Sequence, residues 1–196
     1  KLIEETTPEM IFKQEYLAEV LEDEATVFRA LNKCLSDSSF EPPIPGERYT
    51  GGADFAKTED FFAAIVLKKY DNKVVRVLHM KERSWELQMK ELTILQEAYN
   101  KATVVVDSTG VGDPIYEWMD RLHLSPQGYK FNSTSKEQLV EELMLAIEHG
   151  RLLIPKEATG LIDELKMFEY EVMPSSKIKY HAPSGRHDDL VIALGL

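Results

Sequence analysis

A single cysteine, Cys34, stands in 196 residues, which excludes an internal disulfide and any multi-cysteine zinc site. No apolar run approaches the ~20 residues that cross a bilayer. The first residues, K-L-I-E-E-T-T, carry no apolar stretch of the signal-peptide kind. A reducing, intracellular setting without membrane attachment is the expectation. Neither G-x-G-x-x-G nor G-x-x-x-x-G-K-[ST] occurs, so no nucleotide-phosphate loop is expected. Internal repeats and low-complexity tracts are absent as well. Basic residues are the scarcer charge, 23 Lys and Arg against 34 Asp and Glu, for a net charge of −11. That balance argues against bulk nucleic-acid binding. It leaves open a local basic surface, or carboxylates gathered at one place and neutralised by divalent ions. Such a local surface exists: Val172 to His187 contains no acid but holds Lys177, Lys179, His181, Arg186 and His187. Its ordinary alternative is a solvated hairpin.

What is present suits one well-cored domain with a small appendage: 43% hydrophobic and 29% charged residues. The chain opens on a charged segment and stops at V-I-A-L-G-L inside an apolar helical pattern, as a domain excised from a longer protein would. Residues 8–24 have helical apolar spacing at Phe12, Tyr16, Val20 and Leu21. The three prolines between Ser36 and Gly46 read as a linker. The division is therefore an N-terminal helical segment and Pro-rich linker over 1–47, then a main domain over 48–196.

In the main domain, Y-T-G-G-A-D-F-A (49–56), F-F-A-A-I-V-L-K-K (61–69) and V-V-R-V-L-H-M (74–80) form an antiparallel three-stranded meander. Gly51 and Gly52 permit close backbone approach. Ser84 caps a helix over 85–100. A-T-V-V-V-D (102–107) is a fourth strand, Asp113-Pro114 opens a helix to about Leu122, and G-Y-K-F-N (128–132) is a fifth strand. A capping box at Ser135–Gln138 starts a helix that ends at His149-Gly150. A short extended piece (151–155) and a helix over 157–171 follow, and the last helix begins near His187 or Asp188. The fold class is α/β, a mixed sheet flanked by helices.

The carboxylates carry the chemistry. Asp54 lies inside a strand, where an unpaired charge costs several kcal/mol (roughly) to bury. Asp107 ends V-V-V-D, and C-terminal ends of parallel strands are where open α/β sheets place their sites. Asp188 and Asp189 open the final helix. If the strands of Asp54 and Asp107 are neighbours, three acids meet. At ~4 Å each pair repels by on the order of 4 kcal/mol at an effective dielectric of about 20. Raised pKa values or a bound cation relieve this. Oxygen donors without cysteine suit Mg²⁺ or Mn²⁺, and two such ions would bridge a phosphodiester. Each acid also has an ordinary reading. Asp107 suits an Asp-Ser-Thr-Gly turn, Asp188 and Asp189 suit helix capping, Asp60 and Glu59 suit a solvated loop, and Asp113 suits a cap.

Taken in order, G-A-D-F-A-K-T-E-D-F, V-V-V-D-S-T-G-V-G-D-P-I-Y-E and G-R-H-D-D-L-V-I-A-L resemble the nuclease domain of the large terminase subunit of tailed bacteriophages. The resemblance covers about 48–196 and implies an RNase H-like fold. It implies a two-metal endonuclease, using Mg²⁺ or Mn²⁺, that cuts concatemeric double-stranded viral DNA during packaging. By position it assigns catalysis and metal binding to Asp54, Asp107 and Asp188, with Asp189 and Asp60 as further metal residues. Lys177, Lys179 and Arg186 become candidate phosphate contacts, since the family places a hairpin beside the DNA cleft. The N-terminal segment resembles the piece joining the family's ATPase motor to its nuclease. Implied partners are that motor in the same full-length chain, the portal and the small terminase subunit, in host cytoplasm at the procapsid. Two other readings compete: a junction-resolvase type of RNase H-like nuclease, and a mainly non-catalytic portal-docking module.

Overall fold

Apolar runs with both faces buried build the centre of this molecule. In F-A-A-I-V-L-K, six of seven strand residues are buried, and alternate residues serve opposite faces. The computed structural model describes residues 2–16, 26–56, 61–81, 84–107, 127–129, 133–173 and 178–196. Two short helices come first, α1 (Leu2–Thr6) and α2 (Glu9–Tyr16), then β1 (Leu35–Ser36). The central sheet uses β2 (Tyr49–Asp54), β3 (Phe62–Lys68), β4 (Lys73–Met80), β5 (Thr103–Asp107) and β6 (Gln127–Tyr129), with α3 (Trp85–Ala98) between β4 and β5. After these come α4 (Ser133–Glu148), β7 (Ile154–Pro155), α5 (Thr159–Met167), β8 (Glu169–Val172), β9 (Ile178–His181) and α6 (Asp189–Gly195).

The sheet order is β4-β3-β2-β5-β6. β2, β3 and β4 pair antiparallel, while β2–β5 and β5–β6 pair parallel. The mixed α/β sheet read from the sequence is therefore present, with the strands of Asp54 and Asp107 adjacent. One face packs Phe62, Ala64 and Val66 against Met89, Leu92 and Leu95 of α3. The other packs Ala63, Ile65 and Leu67 against residues of α4, α5 and α6. The α6 helix lies so close to β2 that a Cβ on Gly52 would come within 2.1 Å of the Ala193 carbonyl oxygen. A glycine there is what lets the final helix reach the strand.

Local signals account for several element ends. The Ser84 hydroxyl accepts from the Leu87 amide and caps α3. Gly150 takes φ +61, and the Gly150 and Arg151 amides donate to the Ile147 and Ala146 carbonyls at 3.0 and 2.8 Å. That is the Schellman closure expected of a C-terminal glycine. Two readings need correction. The α4 helix starts at Ser133, so Ser135 sits in its first turn and does not open it. The helix expected over 157–171 stops at Met167, because Phe168 turns extended (φ −66, ψ 127) and is buried. E-Y-E-V then pairs as β8 with β9 in an antiparallel hairpin. The helix expected after Asp113 lies outside the described residues.

The stretch around the prolines is held at many points. Leu35–Ser36 pairs parallel with Ile154–Pro155. Glu41 binds Lys68 and Lys73, and the Tyr99 hydroxyl donates to the Glu41 carbonyl at 2.9 Å. Met10, Ile11, Val27, Phe28 and Leu31 join the same apolar cluster as Leu190 and Val191. No helix among the described residues is long and apolar enough to cross a membrane.

Candidate metal centre

Asp54 and Asp107 are the last residues of β2 and β5. The parallel register pairs Gly52 with Val105 and Ala53 with Val106, so the next residue on each strand, the aspartate, stands level with the other at one sheet end. Asp188 occupies the N-cap position of α6, and Asp189 is its first helical residue, buried at 6% exposure. Burial, followed by the charges of Asp189, Asp107 and Asp188, holds the Asp54 carboxyl well above the usual carboxylate range, with Lys136 pulling the other way. Four of the acids singled out in the sequence thus share one electrostatic environment. Asp60 and Lys177 lie outside the described residues.

The ordinary reading of Asp188 was a helix cap. Its side chain makes no cap hydrogen bond. Glu164 of α5 does that work from another helix: its Oε2 accepts from the Leu190 amide at 2.9 Å and the Val191 amide at 3.4 Å. These are the second and third helical amides, the ones a capping side chain normally takes. The Glu164 carboxyl is pushed up to about 8, first by burial and then by Asp189 and Asp188, against the two amide bonds that lower it. Its Oε1 lies 3.8 Å from His79 Nε2. Burial, then the neighbouring His187, lowers the pKa of His79.

Asp188 instead meets the ammonium of Lys136, in the first turn of α4, at 3.0 Å. Asp189 Oδ2 accepts from the Phe61 amide at 3.4 Å and lies 3.6 Å from His187 Nδ1. Phe61 in turn contacts the rings of His79 and His187, with centroids 4.6 and 4.9 Å apart. Among the described residues, no three His, Cys, Asp or Glu side chains are arranged to hold an ion as they stand. The donor chemistry nevertheless fits a hard divalent cation: carboxylate oxygens supplied by two adjacent strand ends and a helix start, with mutual repulsion for an ion to relieve.

Of the basic candidates, Lys179 lies on β9 and Arg186 just before α6, both exposed. The hairpin carrying Lys179 is real, and its β8 strand presents Glu169 and Glu171 to His181 at 3.7 and 3.9 Å. Two residues of this region escaped the sequence reading. Glu164 sits in L-I-D-E-L and Lys136 in S-T-S-K, and both look like ordinary helix residues. Nothing local marks a glutamate that caps a helix 26 positions away.

Comparison with known proteins agrees with this geometry. The terminase RNaseH-like domain family matches residues 51–196. The large terminase subunit of Thermus virus P23-45 is 33% identical over 199 residues, an alignment covering 96% of this chain and 41% of that protein. The chain thus spans about two fifths of the length of the curated relative. The large terminase nuclease of thermophilic phage G20c is similar in structure, both with bound magnesium (TM-score 0.80, 31% identity, 88% of this chain and 96% of that one) and with bound cobalt (TM-score 0.80, 30% identity, 88% and 96%). The sheet order, the paired strand-end acids and the matched span lead to one assignment: the chain belongs to the terminase RNase H-like domain family.

Proposed function

We propose that this chain is the nuclease of a large terminase subunit, a divalent-metal-dependent endonuclease that cuts concatemeric double-stranded viral DNA during genome packaging. The observation that carries the reading is the pairing of Asp54 and Asp107 at one sheet end, within the charge influence of Asp188 and Asp189 at a helix start capped by Glu164. Relieved of the cap, the Asp188 carboxylate is left to face cations, here the Lys136 ammonium. Asp54, Asp107 and Asp188 hold the ions, with Asp189 and Asp60 as further contributors. Mg²⁺ or Mn²⁺, bound as a pair, supplies Lewis-acid activation of water and charge neutralisation at the leaving oxygen. The strand-end position of Asp54 and Asp107 fixes their backbones rigidly, so the carboxylates are placed before DNA arrives. Lys177, Lys179 and Arg186 contact backbone phosphates, which gives binding without sequence preference.

In the full-length protein the partners are the ATPase motor of the same chain, the portal and the small terminase subunit, with action at the procapsid in host cytoplasm. The test is supercoiled plasmid at low salt with EDTA, Mg²⁺ or Mn²⁺, beside Asp54→Asn. Metal-dependent nicking and linearisation, lost in the variant, is the expected outcome. Cleavage confined to four-way junctions would favour the resolvase type. No cleavage with either metal would leave a portal-docking module.

A further inference from the structure

The Lys136 ammonium bonds to Asp188 Oδ2 at 3.0 Å, and it is the cation that opposes the acids' effect on Asp54. We infer that Lys136 holds the place of a divalent ion at Asp188 and, once displaced, becomes a contact for the DNA phosphate being cut. This rests on the proposed nuclease reading and adds a residue to it.

Three observations support the exchange. The pair is partly exposed, 36% for the lysine side chain and 27% for the aspartate, so it is a weak pair that an ion from solvent can reach. With Asp188 on this partner, no three acids among the described residues are arranged to hold an ion. Lys136 is also anchored in the first turn of α4, a different element from every proposed ligand. A compact point charge on a four-carbon stem can swing without moving the sheet or α6. A divalent ion sits ~2.1 Å from its carboxylate oxygens and repels an ammonium at hydrogen-bond range. The two cations therefore compete for Asp188. The displaced ammonium remains beside the ions, where a bound phosphodiester presents its negative oxygens.

A lysine that only stabilises the fold would affect folding and nothing else. A lysine with this exchange role has two effects of opposite direction. Lys136→Met in the 196-residue chain should bind Mn²⁺ or Mg²⁺ more tightly, by about two- to fivefold, the worth of a partly exposed ion pair, read by titration calorimetry without DNA. At saturating metal the same variant should cleave plasmid about tenfold more slowly or worse, the loss of one charged hydrogen bond to phosphate. Lys136→Arg keeps the charge and should restore metal affinity close to wild type and part of the cleavage rate. Circular dichroism and thermal melts in EDTA establish that both variants are folded, and an unfolded Lys136→Met is replaced by Lys136→Gln. Unchanged or weaker metal binding in the folded neutral variant overturns the inference, as does unchanged cleavage at saturating metal. A wild-type chain that binds no metal and cuts no DNA fails the nuclease reading itself, a distinct result that takes the inference with it.

Discussion

At the Lys68 end of the central sheet, two lysines and two acids neutralise one another; at the Asp54 end, four aspartates share one environment and Lys136 pairs with just one of them, Asp188. Lys68 lies 3.0 Å from Glu41 and 3.2 Å from Asp71, and Lys73, only 5% exposed, lies 2.5 Å from Glu41. Those bonds hold Glu41 below and raise Lys68 above their ordinary pKa values. Across the sheet, burial and like charge drive Asp54 the other way. The same strands β2 and β3 connect both ends. The difference teaches that charge repulsion at the Asp54 end is not a general property of an acidic chain. Where only stability is needed, this fold pairs its ions.

The comparison breaks most visibly in activity. Asp54→Asn or Asp107→Asn should lower plasmid cleavage by about three orders of magnitude, since metal contacts are worth several kcal/mol, while leaving the circular dichroism spectrum intact. Near-wild-type nicking by either variant would remove the strand-end acids from the chemistry. At the paired end the effect should fall on stability instead. Glu41→Ala strands the buried Lys73 and should cost about 1–2 kcal/mol in urea unfolding, with cleavage by the folded protein unchanged. Because the Glu41 pKa is depressed, its contribution is present above the ordinary carboxylate range and fades as pH falls below it.

The acid end should show the opposite sign. Glu164, raised from 4.5 to about 8, and Asp54, raised well above 3.8, hold protons in the folded chain that the unfolded chain releases. That stability is complete below the unfolded pKa and is lost as pH rises through the folded one. In EDTA the melting temperature should therefore fall between pH 4.5 and about 8. Glu164→Gln should flatten this slope, and Asp54→Asn should raise the midpoint at pH 8 by about 2–4 °C per kcal/mol of repulsion removed. Destabilisation of the metal-free Asp54→Asn protein would contradict the clustered-charge picture. The smallest effects belong to the exposed cations. Lys179→Ala and Arg186→Ala should each weaken DNA binding uniformly across sequences and reduce the salt slope by about one; a slope equal to wild type would place them outside the DNA path.

Much of this architecture is legible along the chain. The β2–β4 meander, the V-V-V-D strand, the Ser84 cap and the Gly150 stop all follow from short-range rules, because period-two burial and capping are local. The hairpin strand β8 was less legible. E-Y-E-V follows directly on a helix, and the turn to extended geometry at Phe168 depends on its burial beside Phe28, with ring centroids 5.6 Å apart. The stretch from Ser36 to Gly46 has linker composition, yet contacts with Lys73 and Tyr49 of the sheet and with Tyr99, just after α3, tie it down. Glu164 and Lys136 were illegible for the same reason: each acts on a residue in another element.

The sequence by itself determined the residue types and their places along the strands: carboxylates at the ends of apolar runs, a glycine where α6 must touch β2, and an Asp-Asp pair opening the last helix. Those choices depend on a few neighbouring residues and on the preferences of the backbone. Only the tertiary structure decided which acids face one another, that Glu164 caps α6 in place of Asp188, and that Lys136 reaches Asp188. Strand order and helix packing set those distances, and electrostatic interaction depends on separation in space, which the spacing of residues along the chain does not encode.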